Sequence, residues 1–88
     1  MNSFDLVISS ALKKIYKGKA VHCRAVTPVG SIGIEARHEP FNTVLVNGSN
    51  IEYETDRGEV KSVTVKTALL SFKDNICTIA AELKDIKK

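Results

Sequence analysis

Val21-His22-Cys23-Arg24-Ala25-Val26-Thr27-Pro28-Val29-Gly30-Ser31-Ile32-Gly33-Ile34 is the stretch on which the reading of the fold turns. Val21, Cys23 and Ala25 fall on one side of an extended chain, and His22, Arg24 and Thr27 are largely polar, which reads as a strand with one apolar face. Pro28 lacks the donor a ladder needs and Gly30 accepts positive φ, so the strand breaks there and extended chain resumes from Ile32 to Ala36. Two glycines three apart mark a tight backbone excursion, and no catalytic constellation surrounds them.

The same alternation recurs on both sides of this stretch. Upstream, Phe4, Leu6 and Ile8 predict a first strand, while Leu12, Ile15 and Tyr16 offer a short helical turn that Gly18 stops. Downstream, Thr43 to Val46 is rich in β-branched residues and meets Asn47-Gly48, a pair suited to a hairpin turn. Ile51 and Tyr53 point inward on the next strand, Thr55-Asp56-Arg57-Gly58 turns the chain, and Val63 and Val65 return it as a hairpin. Ala68 to Phe72 reaches the polar turn Lys73-Asp74-Asn75, which Ile76 to Ile79 leaves as the last strand. From Ala80 the residues favour helix but are few and charged, which predicts a helical stub or tail ending at Lys88. Roughly seven to ten short strands with turn signals every ~8–12 residues describe an all-β sandwich or barrel.

At 88 residues there is room for one domain, and 43% apolar with 26% charged residues is a globular balance. Val44-Leu45-Val46 and Ile76 to Ala81 fall far short of the ~20 apolar residues of a membrane-spanning helix. Met1 to Asp5 does not read as the start of a targeting signal, which leaves a cytoplasmic location as the expectation. The net charge of +3 comes partly from Lys13, Lys14, Lys17 and Lys19 and partly from Lys84, Lys87 and Lys88, which reads either as a solvated face or as an acidic-partner surface.

Candidates for chemistry are few. His38 and Glu39 are adjacent in an extended segment, so their side chains diverge and acid–base catalysis is not expected. Divergence also argues against zinc at His22 and Cys23, and Cys77 and His38 lack ligand spacing. Cys23 and Cys77 read as isolated, buried, inert thiols. Gly30 to Gly33 lacks the lysine and hydroxyl of a phosphate-binding loop, and no nucleophile elbow is present. A small basic barrel binding single-stranded nucleic acid is the alternative reading. It needs outward rings among basic residues, and only Lys14-Ile15-Tyr16-Lys17 has that look, whereas Phe4, Tyr53 and Phe72 fit inward slots.

The order and spacing of several motifs resemble a known family. Phe4-x-Leu6-x-Ile8, Tyr16-Lys17-Gly18, Gly30-Ser31-Ile32-Gly33-Ile34, His38-Glu39-Pro40-Phe41, Gly48 and Asn75-Ile76-x-Thr78-Ile79 are together similar to the N-terminal β-sandwich domain of the epsilon subunit of the F-type rotary ATP synthase. The likeness runs from about Phe4 to Glu82, which implies a sandwich domain over 1–82 and a charged tail over 83–88. It implies a flattened antiparallel sandwich of about ten short strands. It also implies a non-catalytic central-stalk subunit, without cofactor, metal or small-molecule substrate and with no nucleic acid expected, that couples ion translocation to ATP synthesis. The implied partners are the gamma subunit, contacted by His38, Glu39, Pro40 and Phe41, and the c-ring, contacted by Gly30, Ser31 and Ile32. The implied location is peripheral, on the cytoplasmic side of the bacterial inner membrane.

Three positions depart from the family pattern. Ser31 stands where many relatives carry glutamate, Arg37 where glycine usually precedes the histidine, and Lys66-Thr67-Ala68 in place of Ser-Gly-Gly at an expected tight turn. Relatives also continue into a C-terminal helical hairpin that can block ATP hydrolysis. With the sequence ending at Lys88, that inhibitory movement is not expected.

Overall fold

A computed structural model describes residues 2–11 and 13–83 as seven strands: β1 (Phe4–Ser9), β2 (Lys14–Thr27), β3 (Gly30–Ile34), β4 (Phe41–Leu45), β5 (Asn50–Thr55), β6 (Val60–Lys73) and β7 (Ile76–Leu83). Among the described residues no helix is long and apolar enough to cross a membrane. The all-β expectation holds, with fewer and longer strands than the predicted ten because β2 and β6 each run 14 residues.

These two long strands serve both layers of the sandwich. The first half of β2 pairs with β1, and its second half pairs with β5 and β3. Likewise the first half of β6 pairs with β5, and its second half lies between β4 and β7. Layer I therefore holds β3, the end of β2, β5 and the start of β6. Layer II holds β4, the end of β6, β7, β1 and the start of β2, and the β1–β2 pairing closes the ring. Register slips between Ala20 and His22 in β2 and between Val65 and Thr67 in β6 mark the corners, since a bulge sharpens bend and twist where a strand changes layer.

The bulges change which side chains enter the core. In β2 the buried set is Ala20, then Cys23, Ala25 and Thr27, so the inward phase shifts between Ala20 and Cys23, Val21 is half-buried, and Thr27 follows Cys23 and Ala25 inward. In β6 Val65 is followed inward by Ala68, Leu70 and Phe72. The family's tight turn, which the departure at Lys66-Thr67-Ala68 puts in doubt, is absent, and the strand passes through with a bulge instead.

Other local expectations shift for the same reason, tertiary pairing overriding local preference. Lys14 to Gly18 is strand rather than helical turn, because Ile8 pairs Tyr16 and Leu6 pairs Gly18. Gly18 lets the Tyr16 ring fold back across the strand: a Cβ there would lie 2.8 Å from the tyrosine oxygen. Asn47-Gly48 turns the chain but forms no hairpin, since β4 pairs with β6 and β5 with β2 and β6. It is an interlayer corner, fastened by Gly48 N–H donating to Val65 O at 2.8 Å and Val46 N–H donating to Val26 O at 2.9 Å. Ala80 to Leu83 continues β7 instead of starting a helix, because Ala80 and Ala81 pair with Leu69 and Ala68. The tail expected over 83–88 lies outside the described residues beyond Leu83. One pairing, β1 with β7, is parallel within an otherwise antiparallel arrangement.

The core is the space between the layers. Phe4 meets Phe72 edge to face at 5.8 Å, and Tyr16 of layer II reaches Tyr53 of layer I at 4.9 Å. Leu6, Ile8, Ile34, Ile51, Val65, Leu70 and Ile79 pack with them, each at most 1% exposed. Close packing of this kind makes a stiff body, because interiors at crystal-like density resist compression.

Candidate contact surfaces

The strands place the two predicted contact segments at opposite ends of β3. Gly30, Ser31 and Ile32 lie at the β2–β3 hairpin, and His38, Glu39, Pro40 and Phe41 form the β3–β4 loop and the first residue of β4. Between Ile32 and His38 lie Gly33 and Ile34 of β3 and then Glu35, Ala36 and Arg37, so one segment begins the strand and the other follows it.

The hairpin tip owes its shape to Thr27 and Gly30. The buried Thr27 hydroxyl donates to Gly30 O at 2.8 Å and accepts from Val29 N–H at 3.2 Å, closing the turn with a side chain. Gly30 holds φ at 128°, a region that side chains rarely adopt. Ser31 is exposed and Ile32 half-buried against the core. The apex is Val29, 98% exposed, which the alternation could not single out because it follows a proline in a turn. An apolar apex with a neighbouring hydroxyl can pack into a shallow recess and accept or donate one hydrogen bond. Ser31 carries no charge for an ionic contact.

At the other end of β3, His38 lies on Phe41 with ring centroids 4.8 Å apart and meets the edge of Phe72 at 5.8 Å. Its Nδ1–H donates to Glu39 O at 2.8 Å, since a carbonyl only accepts. His38 thus orients the loop, while Glu39 and Pro40 are exposed and Phe41 is half-buried. Asn75 anchors the same loop: its Oδ1 accepts from Arg37 N–H at 2.8 Å, its Nδ2 donates to Ser3 O at 3.0 Å, and its own carbonyl accepts from Asp5 N–H at 3.1 Å. Arg37 has φ 68°, a left-handed conformation that glycine adopts without cost. That strain gives physical content to the departure noted there.

A third surface was not legible in the sequence. On the outside of layer II, pairing aligns Val44, Leu69 and Ala80 in one rung, with Val7 and Thr78 in the next and Ile76 beyond. Val44, Leu69 and Ile76 are 49%, 61% and 42% exposed. Asn42, Thr43, Val44, Leu69, Leu70 and Ser71 line a shallow depression there. Lys19 sits at the margin, 2.8 Å from Asp5. The β4 strand that begins at Phe41 carries Val44 on its outer side, with the exposed Asn42 between Val44 and the His38 loop.

Other readings can be measured against the geometry. Phe4, Tyr53 and Phe72 are buried, and Tyr16 and Phe41 half-buried, so none of the five rings stands out as a platform for bases. Burial raises the Tyr53 hydroxyl above the ordinary tyrosine range, with the neighbouring Tyr16 adding to the shift. Tyr16 is raised as well, by burial first and then by the carboxylates of Asp56 and Glu59. Its hydroxyl donates to Lys19 O at 2.8 Å.

Comparison with known proteins gives these surfaces a context. Residues 3–83 match the family described as ATP synthase, Delta/Epsilon chain, beta-sandwich domain. The ATP synthase epsilon chain of Mycobacterium avium (strain 104) is 30% identical over 82 residues, covering 93% of this chain and 68% of that protein. The ATP synthase epsilon chain of Streptomyces avermitilis is 30% identical over 77 residues, covering 88% of this chain and 61% of that protein. Among solved structures, a chain in the Euglena gracilis mitochondrial ATP synthase (OSCP/F1/c-ring, rotational state 1) superposes with a TM-score of 0.83 at 18% identity, covering 92% of this chain and 51% of that one. A chain in the Tetrahymena thermophila mitochondrial ATP synthase central stalk/c-ring gives a TM-score of 0.74 at 19% identity, covering 89% and 62% respectively. The chain spans between about half and two thirds of the length of these proteins. At such identities the solved structures establish the sandwich, and the family match establishes kinship: the chain belongs to the family of the β-sandwich domain of the ATP synthase delta/epsilon chain.

Proposed function

We propose that this chain is an epsilon-type rotor subunit of the ATP synthase central stalk, a non-catalytic adaptor between the gamma subunit and the c-ring. The observation that carries the reading is the family match across residues 3–83 together with the exposed Val44, Leu69 and Ile76 on the outside of layer II. Exposed apolar patches on a small domain mark contact surfaces, because their removal from water is favourable.

In this reading gamma covers the outside of layer II, around Val44, Leu69 and Ile76, and the rim formed by His38, Glu39, Pro40 and Phe41. The c-ring meets Gly30, Ser31 and Ile32, with Val29 as the apolar apex of the hairpin. Contacts at the two ends of one strand allow a single rigid body to touch two partners. Torque then passes through packed layers instead of being stored in bending. The corresponding location is the membrane surface of the synthase, on the cytoplasmic side in a bacterium, and no nucleic-acid or small-molecule partner is called for.

Co-expression of the tagged chain with gamma and c-ring subunits tests this reading. Stoichiometric co-elution of gamma, and of the ring from solubilised membranes, is the expected result. Elution of the chain alone, with neither gamma nor the ring, would remove the proposal.

A further inference from the structure

The outside of layer II changes character from one side to the other. Toward β4 and β6, Val44 and Leu69 stand exposed in a shallow depression whose other lining residues, Asn42, Thr43, Leu70 and Ser71, carry no charge. Toward β1 and β2, a second shallow depression is lined by Asp5, Leu6, Val7, Lys17, Gly18 and Ile76.

Register gathers lysines around this second depression. Phe4, Leu6 and Ile8 of β1 point into the core, so Asp5 and Val7 point outward, and residues directly opposite them share that side. Lys17 stands opposite Val7 and Lys19 opposite Asp5, while Ile76 lies between Asp5 on β1 and Lys73 on β6. The half-exposed Ile76 is thus bordered by three exposed lysines on two strands. Asp5 shares these rungs with them and is already engaged by Lys19 at 2.8 Å. Asp74 lies beyond Lys73 in the turn, and Glu82, at the far end of β7, is 3.8 Å from Lys66. Among the described residues Lys17 and Lys73 make no ion pair.

Adjacent strands are ~4.8 Å apart, so a partner wide enough to cover Val7 and Ile76 also reaches Lys17. An apolar partner surface there would strip water from an ammonium and give it no counter-ion, which is costly. We propose that the partner surface seated on layer II is divided to match, apolar over Val44 and Leu69 and acidic over Lys17, Lys19 and Lys73. The proposal rests on the reading that gamma covers this layer, and it assigns gamma a carboxylate facing Lys17. Apolar burial has no direction of its own, whereas a carboxylate turned toward β4 would be desolvated against Val44 and Leu69 without an ammonium to meet. Charge therefore fixes which way round gamma docks, and it steers the encounter as well.

Titration of purified gamma with the full 88-residue chain at low and high salt tests this. Lys17→Glu is expected to weaken binding roughly 10-fold at about 50 mM salt and only about 2-fold at about 500 mM, because screening removes the difference. Lys17→Gln should lose roughly 3-fold at low salt, and Ser62→Asp on layer I should leave both the affinity and its salt dependence as they were. Carbodiimide coupling of the complex is expected to join Lys17 to an aspartate or glutamate of gamma. If Leu69→Asp weakens binding but Lys17→Glu does not, or if Lys17 couples to no carboxylate of bound gamma, the acidic flank is overturned while the gamma reading stands. If neither variant alters binding, that reading falls with it. Displacement of gamma by a single-stranded oligonucleotide would assign the lysines to phosphates and likewise overturn the proposal.

Discussion

On the outside of layer I, Arg24 stands opposite Glu52 and His22 opposite Glu54, with Ser31, Gly33, Ser62 and Thr64 around them. On the outside of layer II, Val44, Leu69 and Ala80 share a rung, and Ile76 lies nearby. Both faces arise from the same alternation, but on layer II the exposed Val44, Leu69 and Ile76 stand among Asn42, Ser71, Lys73 and Thr78, an apolar strip that the pairing on layer I does not assemble. Cross-strand charge pairs and small hydroxyls hydrate well, whereas half-exposed branched side chains gain from being covered. Valine is not confined to layer II, since Val60 is 72% exposed at the end of layer I. There it stands alone, and an isolated apolar residue on a surface needs no partner.

Adjacent leucines on β6 offer the sharpest way to break this distinction. Leu70 is 1% exposed and Leu69 is 61% exposed, one peptide apart on opposite sides of layer II. Leu70→Ala should cost about 2–5 kcal/mol of folding stability by denaturant titration, through lost burial and a residual cavity. Leu69→Ala should cost less than about 1 kcal/mol in the same experiment. Equal losses would mean that Leu69 is part of the core.

The next largest effect concerns binding. Leu69→Asp should weaken gamma binding by roughly 30- to 100-fold while the melting midpoint changes little, because a carboxylate would be desolvated at the centre of the contact. Ser62→Asp, its counterpart on layer I, should leave affinity within about 2-fold, as expected for a surface substitution outside a contact. Isothermal titration with purified gamma distinguishes the two, and a reversed order would move the seat to the polar face.

Smaller effects probe the rim. Arg37→Gly should raise stability by about 0.5–1 kcal/mol, since glycine adopts φ 68° without the steric cost an arginine bears, while the amide at that position still donates to Asn75. At high pH the raised hydroxyls of Tyr16 and Tyr53 become relevant. An acid whose folded pKa exceeds its unfolded value contributes stability that is complete below about pH 10 and is lost as pH rises through the folded value. The melting midpoint should therefore fall above that pH, and less steeply in Tyr53→Phe.

Much of the fold was legible because the alternation of Phe4-Leu6-Ile8 and Ile51-Tyr53, and the turn chemistry of Asp74-Asn75, are local. Asp74 and Asn75 take φ of 55° and 62°, as a tight hairpin requires. The corners were not legible, since one extra residue at Ala20–His22 or Val65–Thr67 changes the phase of a strand without a characteristic residue type. The parallel β1–β7 pairing and the absence of β4–β5 pairing were hidden because strand order depends on contacts between distant segments. The same limit concealed the outer face of layer II. Leu69 and Leu70 are identical in type, and only pairing reveals which one faces out. Gly30 to Ile32 and His38 to Phe41 are named from the sequence as segments, and what the structure adds is their local supports, Thr27 and Asn75.

The central claim is that one rigid sandwich meets two different partners from two places. Photo-reactive residues placed singly at Ser31 and at Val44 in the assembled synthase test it most directly, with mass spectrometry identifying each captured subunit. Capture of the c subunit from Ser31 and of gamma from Val44 is the predicted result. Capture of the same subunit from both positions, or of neither partner from either, would contradict it.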